Sequence, residues 1–296
     1  MLDPFHDPLA ALAWLVDSGG DETIGETPVN RLAVKESPSP LVGEGGRPRA
    51  SEAGRVRGWA TEKPLTRPSQ ASPAPDDLSH KGRSGESDSI STAQSLAAAA
   101  TTLAELKAAL EGFDGCALKK SAQHTVFADG NPASRIMFIG EAPGAEEDRL
   151  GLPFVGRAGK LLDKMLAAIE LDRTSAYITN VLNWRPPQNR DPAPEEAAMC
   201  LPFLRRHIEL VNPGIIILLG AVAARHVLGF SEGIMKLRGR WLEYRVGEFM
   251  IPVMATLHPA YLLRQPSHKR LAWRDLQAAE QKLLSLGLLE KTAPLR

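Results

Sequence analysis

Residues 135–159 read RIMFIGEAPGAEEDRLGLPFVGRAG. The apolar run Ile136–Ile139 leads straight into the turn Gly140-Glu141-Ala142-Pro143-Gly144. A strand that feeds a Pro/Gly turn is the pattern of an open α/β sheet, where chemistry collects at the carboxyl ends of the strands. Two further apolar runs end the same way. Tyr177–Thr179 leads to Asn180, and Ile251–Leu257 leads to His258. A carboxylate (Glu141), a Phe (Phe154), an amide and an imidazole would then meet at one sheet edge. That set suits a flat ligand with a polar rim, such as a nucleobase.

The spacing on either side predicts alternating strands and helices. Helices are expected at Ser95–Leu110, Arg157–Ile169, Glu195–Leu210, Ala221–Leu228 and Pro266–Leu286. Leu161, Leu162, Met165, Leu166 and Ile169 recur at helical spacing, and Asp191-Pro192-Ala193-Pro194 caps the third helix. Strands are expected at Arg135–Ile139, Ala176–Leu182, Gly214–Gly220, Trp241–Tyr244 and Ile251–Leu257. GIIILLG (214–220) is continuously apolar, as a strand covered on both faces should be. A parallel sheet with helices on both sides follows.

Upstream, Pro8–Val16 (PLAALAWLV) reads as a short helix, packed on the main domain or docking on a partner. Residues 1–35 form that N-terminal segment. Residues 36–92 are rich in Pro, Gly, Ser, Arg and Glu without a period of 2 or 3.6, and are expected to be a disordered linker or insertion. Residues 93–296 form the folded domain. Across its 296 residues the chain carries no net charge, but residues 94–296 hold 25 Lys and Arg against 21 Asp and Glu. That mild basicity permits nucleic-acid binding without requiring it. Two cysteines exclude a disulfide framework. No apolar run reaches membrane-spanning length and no positively charged leader opens the chain, so a cytoplasmic location is expected.

Each candidate residue has an ordinary reading beside its functional one. Glu146, Glu147 and Asp148 read as a solvated helix start. Phe154 could be core or could stack on a base, Asn180 could cap a turn or read the amide edge of a pyrimidine, and His258 could be structural or catalytic. Backbone N–H groups of the 140–144 turn could hold a developing anion. Lys236, Arg238 and Arg240 form a compact basic turn, and Arg264, His268, Lys269 and Arg270 a second. Either could be a solvated face or could grip phosphates. No metal-ligand spacing and no Walker or Rossmann phosphate loop is present.

Together these residues resemble the uracil-DNA glycosylase superfamily, and most closely its family 4, the iron–sulfur type. The resemblance runs from about Leu110 to Leu284. It rests on GEAPGAEED with PFVGRAG (140–159), on Ile178–Val181 followed by Arg185-Pro186-Pro187 and Asn189-Arg190, and on His258–Leu263. It implies a three-layer α/β/α domain on a four-stranded, largely parallel sheet. It implies hydrolysis of the bond between uracil and deoxyribose in DNA, leaving an abasic site, by a chain expected to be a monomer. By the same resemblance Phe154 stacks on the flipped base and Asn180 binds its O4/N3 edge. His258 and the backbone around Glu141 support O2, with Gly140, Ala142 and Gly144 forming the rest of the base seat. Glu141 orients water, because Ala142 lies where better-known members carry a catalytic Asp. Leu262 aligns with the residue that wedges into the base stack. Arg157, Lys236, Arg238, Arg240 and Arg264 are the expected DNA contacts. A broader glycosylase taking xanthine, hypoxanthine or etheno-bases, and a non-catalytic damage-binding module, are the alternatives.

One feature departs from family 4. Four cysteines there hold a 4Fe–4S cluster. Here Cys116 and Cys200 match the second and fourth ligands, while Phe113 and Trp184 stand at the first and third. Two thiolates do not hold such a cluster, so the expectation is a protein with no cofactor, in which Phe113 and Trp184 fill the space with apolar surface.

Overall fold

A computed structural model describes residues 78–289, with side chains from Ser87 onward. The N-terminal segment 1–35 and most of the 36–92 linker lie outside the described residues. Six strands form one sheet: β1 (Asp129–Gly130), β2 (Ile136–Gly140), β3 (Tyr177–Asn180), β4 (Ile215–Leu219), β5 (Trp241–Val246) and β6 (Phe249–Thr256). Their spatial order is β1-β3-β2-β4-β6-β5. The inner four are mutually parallel, while β1 and β5 pair antiparallel at the edges. The expected four-stranded sheet is thus the parallel centre of a six-stranded one. The hairpin β5–β6 and the two-residue β1 extend it.

Strand pleating divides the interior in two. Met137, Ile139, Ile216 and Leu218 face one core. Ile136, Phe138, Ile215 and Ile217 face the other. The first is covered by α1 (Leu78–Ala99), α2 (Leu103–Gly112), α5 (Pro194–Val211) and α6 (Ala221–Leu228), and Leu237 also enters it. The second is covered by α4 (Arg157–Ala167), α8 (Pro259–Arg264) and α9 (Lys269–Ser285). Two short helices, α3 (Ala145–Leu150) and α7 (Ile234–Leu237), lie in the loops after β2 and before β5. The three-layer α/β/α arrangement is the expected one.

Local chemistry moved some boundaries. The single helix expected at Ser95–Leu110 is two, because Thr102 ends the run by accepting a hydrogen bond from Glu105 N (3.1 Å) while the Glu105 carboxylate accepts from Thr101 N (2.7 Å). Such reciprocal capping starts a new helix. α1 begins at Leu78, inside the stretch read as linker.

The topology fixes where a site can form. The first long helix after β2 in the chain, α4, packs on the second face, whereas α6, which follows the neighbouring β4, packs on the first. A crevice opens beyond the carboxyl ends of strands at such a switch point. In the parallel register Gly140 pairs with Asn180, and Leu219 with Thr256. The residues that follow β2 and β6 therefore emerge on the same edge.

Candidate active site

A pocket of about 280 Å³ occupies that crevice. Glu141, Ala142, Gly144, Phe154, Asn180, His258 and Arg264 all line it, each a residue singled out from sequence. Gly140 lies beneath them. A Cβ at that position would collide with Asn180 Oδ1 and with the Phe154 ring, so the absence of a side chain is what lets these two meet.

Asn180 ends β3 and is buried, yet its Oδ1 has no hydrogen-bond partner. Leaving a buried acceptor unpaired costs about 1–3 kcal/mol, and such groups mark places where a ligand supplies the missing donor. Beside it, the Phe154 ring lies 5.6 Å from the His258 ring, inclined by 33°.

His258 occupies the last position before α8, and Pro259 opens the helix. A residue before proline is pushed to extended geometry, which suits an N-cap. Ala260 N donates to His258 Nδ1 (3.1 Å). That lone pair leaves the ring proton on Nε2 of a neutral imidazole. Burial, together with the nearby Arg264, pulls its pKa down to about 4. Glu141 shows the opposite perturbation. Burial and then the charge of Asp191 push its carboxyl up to about 7, against the pull of Arg225 and Arg264. A neutral donor and a proton-hungry carboxylate thus face the same cavity.

The acidic run is not a solvated face. Glu147 and Asp148 are buried. Glu147 accepts from Gly144 N (3.1 Å), Val155 N (3.0 Å) and Gly156 N (2.9 Å), tying the turn after β2 to the loop that carries Phe154. Asp148 accepts from Gln123 N and His124 N. Only Glu146 keeps the expected exposure, paired with Arg149. Pro186, Asn189 and Arg190, part of a family motif in the sequence but given no role there, also line the pocket. Their loop is braced by Arg190 on Glu196 and by Arg185 on Asn189. An acid three residues after Gly144 was the available signal for Glu147.

Two expected DNA contacts are placed elsewhere. Leu262 is fully buried in the second core, because it lies on the inward side of α8, and it has no surface from which to enter a base stack. Arg238 donates to both oxygens of buried Asp275 and to the Leu271 carbonyl, so its charge is spent inside the fold. Lys236, Arg240, Arg157 and Arg264 remain exposed, with Arg240 3.4 Å from Glu232.

Sequence comparison adds the family. A profile described as the uracil DNA glycosylase superfamily matches residues 127–277, which span the sheet and every pocket residue. The chain belongs to the uracil-DNA glycosylase superfamily. It is 43% identical over 175 residues to a type-4 uracil-DNA glycosylase of Thermotoga maritima, covering 58% of this chain and 90% of that one. The type-4 enzyme of Archaeoglobus fulgidus is 43% identical over 155 residues, 51% of this chain and 78% of its own. That of Sulfurisphaera tokodaii is 40% identical over 168 residues, 55% and 76% respectively.

A 4Fe–4S cluster does not fit the residues present. Cys116 and Cys200 are both buried in the first core, where their thiols perturb one another. The neighbouring Cys116 thiol and burial push the Cys200 thiol well up. Phe113 and Trp184, at the other two ligand positions, are buried in the same core. Phe113 packs on Phe203 at 5.4 Å, and Trp184 Nε1 donates to Thr125 Oγ1 (3.0 Å). Among the described residues no group of three His, Cys, Asp or Glu could hold a metal ion.

Proposed function

We propose that this chain is a DNA-repair glycosylase that hydrolyses the N-glycosidic bond of a flipped-out deoxyuridine and leaves an abasic site. The observation that carries the reading is the buried, unpaired Asn180 Oδ1 beside the Phe154 ring. Uracil N3–H supplies the missing donor, and Asn180 Nδ2 donates to O4. Cytosine offers an acceptor at N3 and a donor at N4, so it leaves the carboxamide mismatched on both atoms. The names of the type-4 relatives support the same activity.

Flipping the nucleotide costs a few kcal/mol, and Phe154 returns about 1–3 kcal/mol by stacking. As the C–N bond lengthens, the sugar acquires oxocarbenium character and negative charge gathers on uracil O2. His258 Nε2–H, neutral and fixed by its cap, donates to that oxygen. Glu141 holds the water that adds to the sugar. Arg264 at the pocket wall, with exposed Lys236, Arg240 and Arg157, contacts the DNA backbone. The enzyme is proposed to work as a monomer. It works without an iron–sulfur cluster, supported by the aromatic packing at Phe113 and Trp184. No helix among the described residues is long and apolar enough to cross a membrane.

Base release from oligonucleotides carrying uracil, thymine, cytosine, hypoxanthine, xanthine or ethenoadenine tests the assignment. Uracil should be released, and Asn180→Ala and His258→Ala should each slow release by about 10²–10³-fold, as loss of one preorganised contact to the developing charge does. Release of purines but not uracil would move the chain to the broader class. Abasic-site binding without any release would make it a non-catalytic module.

A further inference from the structure

We propose that Arg173 is the positioning residue for base stacking, holding the backbone of Phe154 in the one conformation that aims its ring into the pocket. The inference rests on the reading of Phe154 as the stacking residue. Its own evidence is the loop that carries that ring.

Phe154 has φ = 54°, in the left-handed region. For a bulky L residue this costs about 1–2 kcal/mol, so something must hold it there. Four backbone polar groups around the ring are held from outside the loop. The Phe154 carbonyl accepts from Arg173 Nη2, and the Pro153 carbonyl from Nη1 (3.2 Å). On the following side, Glu147 takes the N–H groups of Val155 and Gly156. A cation thus grips the carbonyls before the bend and an anion grips the amides after it.

Arg173 is itself fixed to two separate elements. Nη1 pairs with Asp129 on β1 (2.5 Å) and Nε with Asp163 on α4 (2.8 Å). Its planar fork therefore refers the loop to the sheet and to a helix at once. From the opposite direction, α4 presents Gly159, where any Cβ would run into the Phe154 carbonyl and its Cα. The loop is seated directly on the helix backbone. A lysine offers a point charge and cannot reproduce this set of in-plane donors.

If Arg173 is lost, Phe154 relaxes to an ordinary negative φ and its ring leaves the stacking plane. The test is a double-mutant cycle, read by single-turnover uracil excision. Arg173→Ala should slow excision roughly tenfold to hundredfold, the range for loss of one base–aromatic stack. In a Phe154→Ala background the same change should have less than about a twofold effect, because there is no ring left to aim. Guanidinium ion should restore part of the Arg173→Ala rate, and sodium at equal ionic strength should not. Arg173→Lys should behave like the alanine variant. Should Arg173→Ala fail to fold, Asp163→Asn carries the same cycle with a smaller effect, since it loosens the fork without removing it. Equal losses in both backgrounds overturn the proposal alone. An unchanged rate for Phe154→Ala overturns the stacking reading, and the proposal with it.

Discussion

The carboxamide oxygen of Asn180 lies over the Cα of Gly140, its register partner on the neighbouring parallel strand, in the space that a side chain there would fill. Two adjacent strand ends thus build one recognition surface: the first withholds a side chain so that the second can present one. Gly140→Ala should retain the fold, because the strand geometry at this position is ordinary. It should slow excision by about 10²-fold, the cost of displacing a recognition group by about an ångström. Circular dichroism with single-turnover excision separates the two effects, and a near-normal rate would mean that Asn180 tolerates displacement.

Acid should switch the enzyme off near neutrality. Glu141 titrates at about 7 and His258 at about 4. In the proposed mechanism ionised Glu141 is the form that holds water, so the excision rate should rise with pH through about 7 and then level. His258 is already neutral across that range and should add no inflection. Glu141→Gln should lower the plateau and remove the limb. The same raised pKa has a cost in stability. The folded state binds the Glu141 proton more tightly than the unfolded chain, so this group's contribution falls as pH rises from about 4.5 to about 7. An acid limb centred near 4 would transfer the inflection to His258.

Much of this site was legible because strand ends announce themselves. Ile136–Ile139, Tyr177–Thr179 and Ile251–Leu257 are apolar runs that stop at polar residues, and parallel packing forces those stops onto one edge. What stayed hidden depended on which way a side chain turns. Only its spacing of three from Gly144 separates Glu147, which three backbone amides hold in the interior, from exposed Glu146, and that spacing says nothing of the bonds to Val155 and Gly156. Leu262 and Leu263 are identical in sequence terms, and only the docking of α8 buries the first completely. Arg238 looked like its neighbours because its partner, Asp275, lies 37 residues away. The edge strand β1, two residues long, carries too little pattern to be read at all.

Arg238 and Lys236, two residues apart, should therefore separate cleanly. Arg238 and Asp275 form a buried pair that also engages Thr256 Oγ1 (2.6 Å), the last residue of β6. Removing one partner of such a pair costs about 3–5 kcal/mol, so Arg238→Ala should lower the urea midpoint sharply. Lys236→Ala should leave that midpoint unchanged and reduce the salt dependence of DNA binding by close to one phosphate contact, a slope change of about 0.9. A salt slope altered by Arg238→Ala as well, at unchanged stability, would return that arginine to the DNA surface.

Phe113, Trp184 and the two buried thiols share one core, and the proposed cluster-free state predicts a different response to iron from that of a 4Fe–4S protein. Protein purified anaerobically should show no broad absorption near 400 nm and far fewer than the about four irons per chain that a 4Fe–4S cluster requires. Chelation or aerobic storage should leave its unfolding midpoint where it was, as the proposed cluster-free state requires. Trp184→Ala, by contrast, should destabilise by about 3–5 kcal/mol, the cost of emptying a buried indole site, because Trp184 is 1% exposed and bridges to Thr125. Four irons per chain, lost together with folding on chelation, would show that the aromatic pair does not stand in for the cluster.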